Sequence, residues 1–209
     1  MKPILFNTDM VRATMEGRKT VTRRAVKFLP GFNPKWTGYI PDGPVLYGSN
    51  NIPAAKPPYR PGDILYVRET FKIDYLSNIL GSGRIRYKAD DAYSDFTFAP
   101  ERYDMMRRAQ LKPGWRPNEN MPREAARIFL RVTDVRVERL QDITEEQAIR
   151  EGVHASREDY GIAIFAFSDL WDSTIKPKDR ALYGWDANPW GWVIEFERID
   201  KVEAIEGVR

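Results

Sequence analysis

The stretch Arg127-Ile128-Phe129-Leu130-Arg131-Val132 constrains the fold more than any other part of the chain. Successive side chains of an extended strand point to opposite faces, so Ile128, Leu130 and Val132 share one side while Arg127 and Arg131 share the other. Val135 and Val137 carry the pattern beyond a bend near Thr133-Asp134, which gives a strand over 127–137. A strand with one apolar and one charged face belongs to an antiparallel or barrel sheet, because parallel strands are covered on both sides. Trp190 to Ile199 reads the same way, with Trp192, Ile194 and Phe196 alternating with Val193, Glu195 and Glu197. Ile4-Leu5-Phe6, Thr20-Val21-Thr22, Ile64 to Val67 and Ile85 to Lys88 are shorter strand candidates.

Helix signals lie between these strands. Asn7-Thr8-Asp9 offers caps for a helix over Met10 to Glu16 that Gly17 stops. Pro100 to Gln110 reads as a short helix opened by proline. Thr144-Glu145-Glu146-Gln147 is a capping box, and Gly152 ends the helix it opens. Tyr160, Ala163, Ile164, Phe167, Leu170, Trp171 and Thr174, at offsets 0, 3, 4, 7, 10, 11 and 14, form a stripe that lays a helix against the core. Residues 28–61 and 72–122 read as long irregular insertions, the first with Trp36, Tyr39, Tyr47 and Tyr59 to pack on something. Residues 201–209 read as a flexible tail, so the expected organisation is one α+β domain over 1–200.

Composition excludes several kinds of chemistry. The 209 residues include no cysteine and one histidine, His154, which removes disulfides, thiol catalysis and histidine-rich metal centres together. No metal or other cofactor is implied. The amino terminus lacks the roughly 7–15 residue apolar core of a signal peptide. No run approaches the ~18 apolar residues of a membrane span, so a cytoplasmic protein with no membrane partner is expected. Charge is uneven along the chain: residues 1–137 hold 24 Lys/Arg against 14 Asp/Glu, and residues 138–200 hold 7 against 14. A basic surface suits a polyanion such as RNA, because neutralised phosphates release counterions. Complementary packing of the two parts is the alternative.

Three short motifs carry candidate chemistry. In Gly17-Arg18-Lys19-Thr20-Val21-Thr22, a turn at Lys19-Thr20 would bring Lys19 near Thr22, whereas Arg18 and Lys19 could equally complement the carbonyl end of the preceding helix. Glu151 falls in the last turn of the capped helix, where the helix dipole disfavours a carboxylate and a cation from elsewhere would relieve it. Arg68-Glu69 ends the strand after Pro61-Gly62-Asp63, either as a ligand-orienting pair or as a surface ion pair. The cluster Tyr183 to Trp190 offers a stacking platform for a base or a plug for a barrel end. His154 has no partners for a catalytic triad.

Taken in order, Gly17 to Thr22, Pro61 to Glu69, the strand 127–137, Ile143 to Ala148 and Trp192 to Phe196 resemble the ASCH domain family, relatives of the PUA RNA-binding domains. With Trp190-Gly191-Trp192 near its end, the chain looks like the long form found in bacteria and their prophages. The resemblance implies a small bent PUA-like β-barrel with flanking helices and a cleft for RNA or a nucleoside. Some compact members remove acetyl from the exocyclic amine of 4-acetylcytidine with a lysine, a threonine and a glutamate, which fall here on Lys19, Thr22 and Glu151. Thr22 would attack the acetyl carbonyl, Lys19 would take its proton and Glu151 would orient Lys19. Arg18 and Arg23 would help keep that lysine neutral and contact substrate, and Arg68 and Glu69 would position the ligand. The insertions depart from the compact enzymes, and other members of the family are nucleases or non-catalytic RNA-binding modules. A scaffold role in phage assembly is a third reading.

Overall fold

The computed structural model describes residues 1–28, 36–40, 43–47, 53–154 and 162–207. In chain order the first elements are β1 (Lys2–Leu5), α1 (Thr8–Met15), β2 (Val21–Ala25), β3 (Trp36–Ile40), β4 (Gly43–Tyr47), β5 (Pro53–Ala55) and β6 (Ile64–Arg68). There follow β7 (Phe71–Ser77), β8 (Ser82–Tyr87), β9 (Tyr93–Thr97), α2 (Tyr103–Leu111) and β10 (Phe129–Arg139). The rest comprises α3 (Glu145–Arg150), α4 (Ile162–Thr174), α5 (Arg180–Tyr183), β11 (Trp190–Ile199) and α6 (Lys201–Glu206). The fold is α+β. One sheet has the strand order β1-β6-β10-β11-β2, and two three-stranded sheets have the orders β3-β4-β5 and β7-β8-β9.

The chain divides into two compact units, and neither is continuous in sequence. Met1–Glu16, Ile64–Leu130 and Arg198–Arg209 form the first, and Gly17–Asp63 with Arg131–Glu197 form the second.

In the first unit β1 runs parallel to β6, with Ile4 opposite Val67. Asn7 caps α1 by accepting the Met10 N–H at 2.8 Å, and the helix buries Met10, Val11 and Ala13. The stretch 72–122, read as an irregular insertion with a strand at Ile85 to Lys88 and a helix over Pro100 to Gln110, contains α2 and a whole antiparallel sheet, β7-β8-β9, of which only β8 overlaps the expected strand. Its alternation is genuine: Phe71, Ile73, Ile85 and Tyr87 are buried while Lys72, Asp74 and Arg84 are not. Gly81 and Gly83 obscure it. A Cβ on Gly83 would lie 2.8 Å from the Tyr75 carbonyl oxygen, so the close pairing of β7 and β8 requires glycine there. The loose tail expected after residue 200 is also corrected. Asp200 accepts the Glu203 N–H at 2.7 Å and starts α6, whose Ala204 joins Phe71, Tyr87, Met106 and Phe129 in the core.

In the second unit β2 lies antiparallel to β11, with Thr22 opposite Ile194 and Arg23 opposite Val193. The insertion 28–61 contains β3, β4 and β5, so it too is more regular than expected. The side chains of Trp36, Tyr39 and Tyr47 lie outside the described residues. Leu140, Ile143, Ala148, Ala163, Phe167 and Trp171 form a core between α3 and α4. Ala163, Ile164, Phe167, Leu170 and Trp171 of the expected stripe face this core, whereas Thr174 is exposed and Tyr160 lies outside the described residues. The Glu145 carboxylate accepts the Ala163 N–H at 3.1 Å, tying the opening turn of α4 to the first turn of α3. Trp185 packs edge-on against Phe167 at 6.2 Å between ring centroids, which gives the aromatic cluster a core role.

Candidate functional site

The site is built around the carboxyl end of α3. Thr144 and Gln147 form the reciprocal capping box, with the Thr144 hydroxyl accepting the Gln147 N–H and the Gln147 side chain accepting the Thr144 N–H. At the other end, three consecutive residues satisfy three consecutive carbonyls that a helix cannot satisfy itself. The Thr20 N–H donates to the Arg150 carbonyl at 2.9 Å, Lys19 Nζ to the Glu151 carbonyl at 2.8 Å, and Arg18 to the Gly152 carbonyl at 2.7 Å. The Gly17-Arg18-Lys19-Thr20 segment therefore complements a helix end, but that of α3.

Lys19 Nζ also donates to Glu151 Oε2 and to the Val21 carbonyl, each at 2.8 Å. Arg23 meets the other carboxylate oxygen of Glu151 at 3.2 Å and donates to Gln147 Oε1 at 2.8 Å and Glu138 Oε2 at 3.3 Å. One carboxylate thus holds two cations. The Lys19 and Glu151 side chains are 0% and 3% exposed, so the pair is closed off from solvent. The open cleft expected at Lys19 and Glu151 is not present in this conformation. The polar chain continues outward, since Arg136 bonds both Glu138 and Glu195, and Glu195 accepts from Arg150 at 2.6 Å.

Burial governs the electrostatics. It pulls the Lys19 ammonium below its usual range against the opposing pull of Glu151, and Arg24 and Arg23 add to the lowering. Of the two opposing influences on Lys19, desolvation wins. Burial likewise lowers Arg24, against Tyr59 and Glu151. Strand alternation sends Thr22 and Arg24 to the face of β2 opposite Val21 and Arg23. Thr22 is 1% exposed, and its hydroxyl makes no hydrogen bond among the described residues, to Lys19 or to any other group. Arg24 is nevertheless close enough to Lys19 and Glu151 to enter their electrostatics.

The other expected site residues are occupied elsewhere. Arg68 donates to the Met121 carbonyl at 2.9 Å. Buried Glu69 receives a two-pronged contact from Arg127 at 2.8 and 2.9 Å, and Arg127 also grips Asp90 and lies 3.8 Å from the centroid of the Tyr87 ring. All of these belong to the first unit, whereas Lys19, Thr22 and Glu151 belong to the second. His154 is exposed beside Arg18, 3.3 Å from its guanidinium.

Sequence reasoning passed over Gln147 as a partner of Arg23, together with Arg24, Tyr59, Glu138 and Arg127. Gln147 carried a signal in the capping box; the others become visible only when distant strands pair. Charge distribution also changes on folding. The first unit holds 17 Lys/Arg against 14 Asp/Glu and the second 16 against 16, so the basic excess read along the chain is not concentrated in the unit that holds Lys19.

Family models, curated proteins and solved structures give no match to this chain. Among the described residues no group of three or more His, Cys, Asp or Glu side chains is placed to hold a metal ion. No described helix is long and apolar enough to cross a membrane.

Proposed function

We propose that the chain is an ASCH-like protein, built on a small bent PUA-like barrel, that binds RNA or a modified nucleoside and hydrolyses an amide on the base, with 4-acetylcytidine as the type of substrate. One observation carries the proposal: Lys19 and Glu151, 132 residues apart, meet at 2.8 Å in a buried site where desolvation favours the neutral amine. A neutral lysine has two N–H bonds for the three acceptors that Nζ now contacts, so loss of its proton frees one direction for a lone pair. Thr22, from the same segment, supplies a hydroxyl that makes no hydrogen bond among the described residues.

The hydroxyl oxygen adds to the acetyl carbonyl carbon while Nζ takes its proton. Nζ then returns that proton to the exocyclic nitrogen as the carbon–nitrogen bond breaks, leaving acetyl on Thr22. Water, deprotonated by Nζ, cleaves the ester, and acetate leaves as the threonine regains its hydrogen. Glu151 holds the amine in place throughout.

The capping of the α3 carbonyls by residues 18–20 favours a second reading, in which this segment is structural and the protein binds RNA without chemistry. Incubation with 4-acetylcytidine separates the two. Release of acetate, abolished by the near-isosteric Thr22→Val with melting unchanged, is the expected outcome. No product, or full activity in Thr22→Val, overturns hydrolysis. RNA affinity that falls steeply with salt would then support the second reading.

A further inference from the structure

The first unit contains a cavity of about 230 Å³ that involves none of Lys19, Thr22 and Glu151. Phe71, Ile73, Met105, Met106 and Ala109 give it an apolar lining. Arg108, Lys112 and Arg116 also line it, and Asn120 is the one neutral polar side chain that does so. Met105, Arg108, Ala109 and Lys112 are spaced by three and four residues, so a single face running down α2 to its carboxyl end supplies both the apolar wall and two of the cations. Arg116 comes from the following connection. Its backbone is pinned to β7 by paired hydrogen bonds with Phe71, at 2.6 and 3.1 Å.

Among the described residues, none of the three cations forms an ion pair, and Nε of Arg116 is buried with no acceptor. Cations near a helix carboxyl end offset its dipole, which accounts for Arg108 and Lys112. It does not account for Arg116, which lies beyond the helix. A buried guanidinium N–H without a partner is unfavourable, as is a cluster of like charges with no counter-charge. A carboxylate bound at the cavity supplies the missing counter-charge, and the planar fork of an arginine matches its two oxygens. The largely apolar wall selects against a nucleobase, whose edges need several donors and acceptors, and for a hydrocarbon body.

We propose that this cavity binds a small organic carboxylate with an apolar body, of the size and kind of octanoate. The chain lies on the Met, Phe and Ile wall, and the carboxylate meets Arg116, with Arg108 and Lys112 neutralising it further.

Calorimetric titration of the full chain with octanoate, 1-octanol and acetate tests the proposal. Saturable binding of octanoate is expected, with about tenfold or greater loss of affinity for 1-octanol, for acetate, and for octanoate in Arg116→Met. Equal affinity for octanoate and 1-octanol, unchanged octanoate binding in Arg116→Met, or no saturable binding of octanoate would overturn it. If Arg116→Met does not melt cooperatively, the double variant Arg108→Gln, Lys112→Gln takes its place, since both side chains are exposed. It should weaken octanoate and leave 1-octanol unaffected, and an equal response to both ligands refutes the site.

Discussion

Lys19 is among the largest fully buried side chains of the protein, and burying an ammonium is tolerated only because each of its N–H bonds has an acceptor. Lys19→Met would leave Glu151 with Arg23 alone and uncap a carbonyl of α3. Removing one member of a buried pair costs about 3–5 kcal/mol, so a loss of that order in urea unfolding is expected. Glu195 provides a test by pH. Burial raises its pKa, but the bonds from Arg150 and Arg136 outweigh that and hold the carboxyl below its ordinary value of 4.5. Its stabilising contribution is therefore complete above that value and is lost as pH falls through the lower folded one. The stability gap between the native chain and Glu195→Gln should be widest near neutrality and shrink on acidification; a gap independent of pH would contradict the pairing. Helix-end logic called for a cation beside Glu151, but only the resemblance to the ASCH family pointed to Lys19 as that cation. The sequence left open which way the lysine would titrate. Its answer depends on how thoroughly β2 and α3 exclude water, and no local pattern encodes that.

At the scale of elements, boundaries backed by a cap or a glycine were the most legible. The Thr144 box, the stop at Gly152 and the strand Trp190–Ile199 all stand where the pattern puts them. Of the β7-β8-β9 sheet only part of β8 was legible, because glycines that serve close backbone contact break the alternation. α6 escaped because only Ala204 marks its buried side. Asp200→Ala removes the acceptor for the Glu203 N–H and should cost about 1 kcal/mol, read as a lower urea midpoint with unchanged slope. A larger loss would show that α6 contributes more to the first unit's core than its single alanine suggests.

For the molecule as a whole, the sequence was read as one domain with insertions, whereas the contacts resolve two units assembled from separated segments. Long-range assembly of this kind leaves no periodic trace, which is why strands such as β10 and β11 were legible and their grouping was not. The residues 64–130 carry most of the first unit's apolar side chains but lack Ile199 and Ala204 from its core. Expressed alone, that segment should show no cooperative thermal transition, and a sharp melt would mean that the flanking segments are dispensable.

The placement of Ala204 and Ile199 sets an order in time. While a ribosome is still making residues 131–197, the β6 to β9 strands have already been synthesised without the Ile199 and Ala204 side chains that join their core, and that apolar surface waits for α6. Docking of Ala204 completes a core whose other members were synthesised long before it.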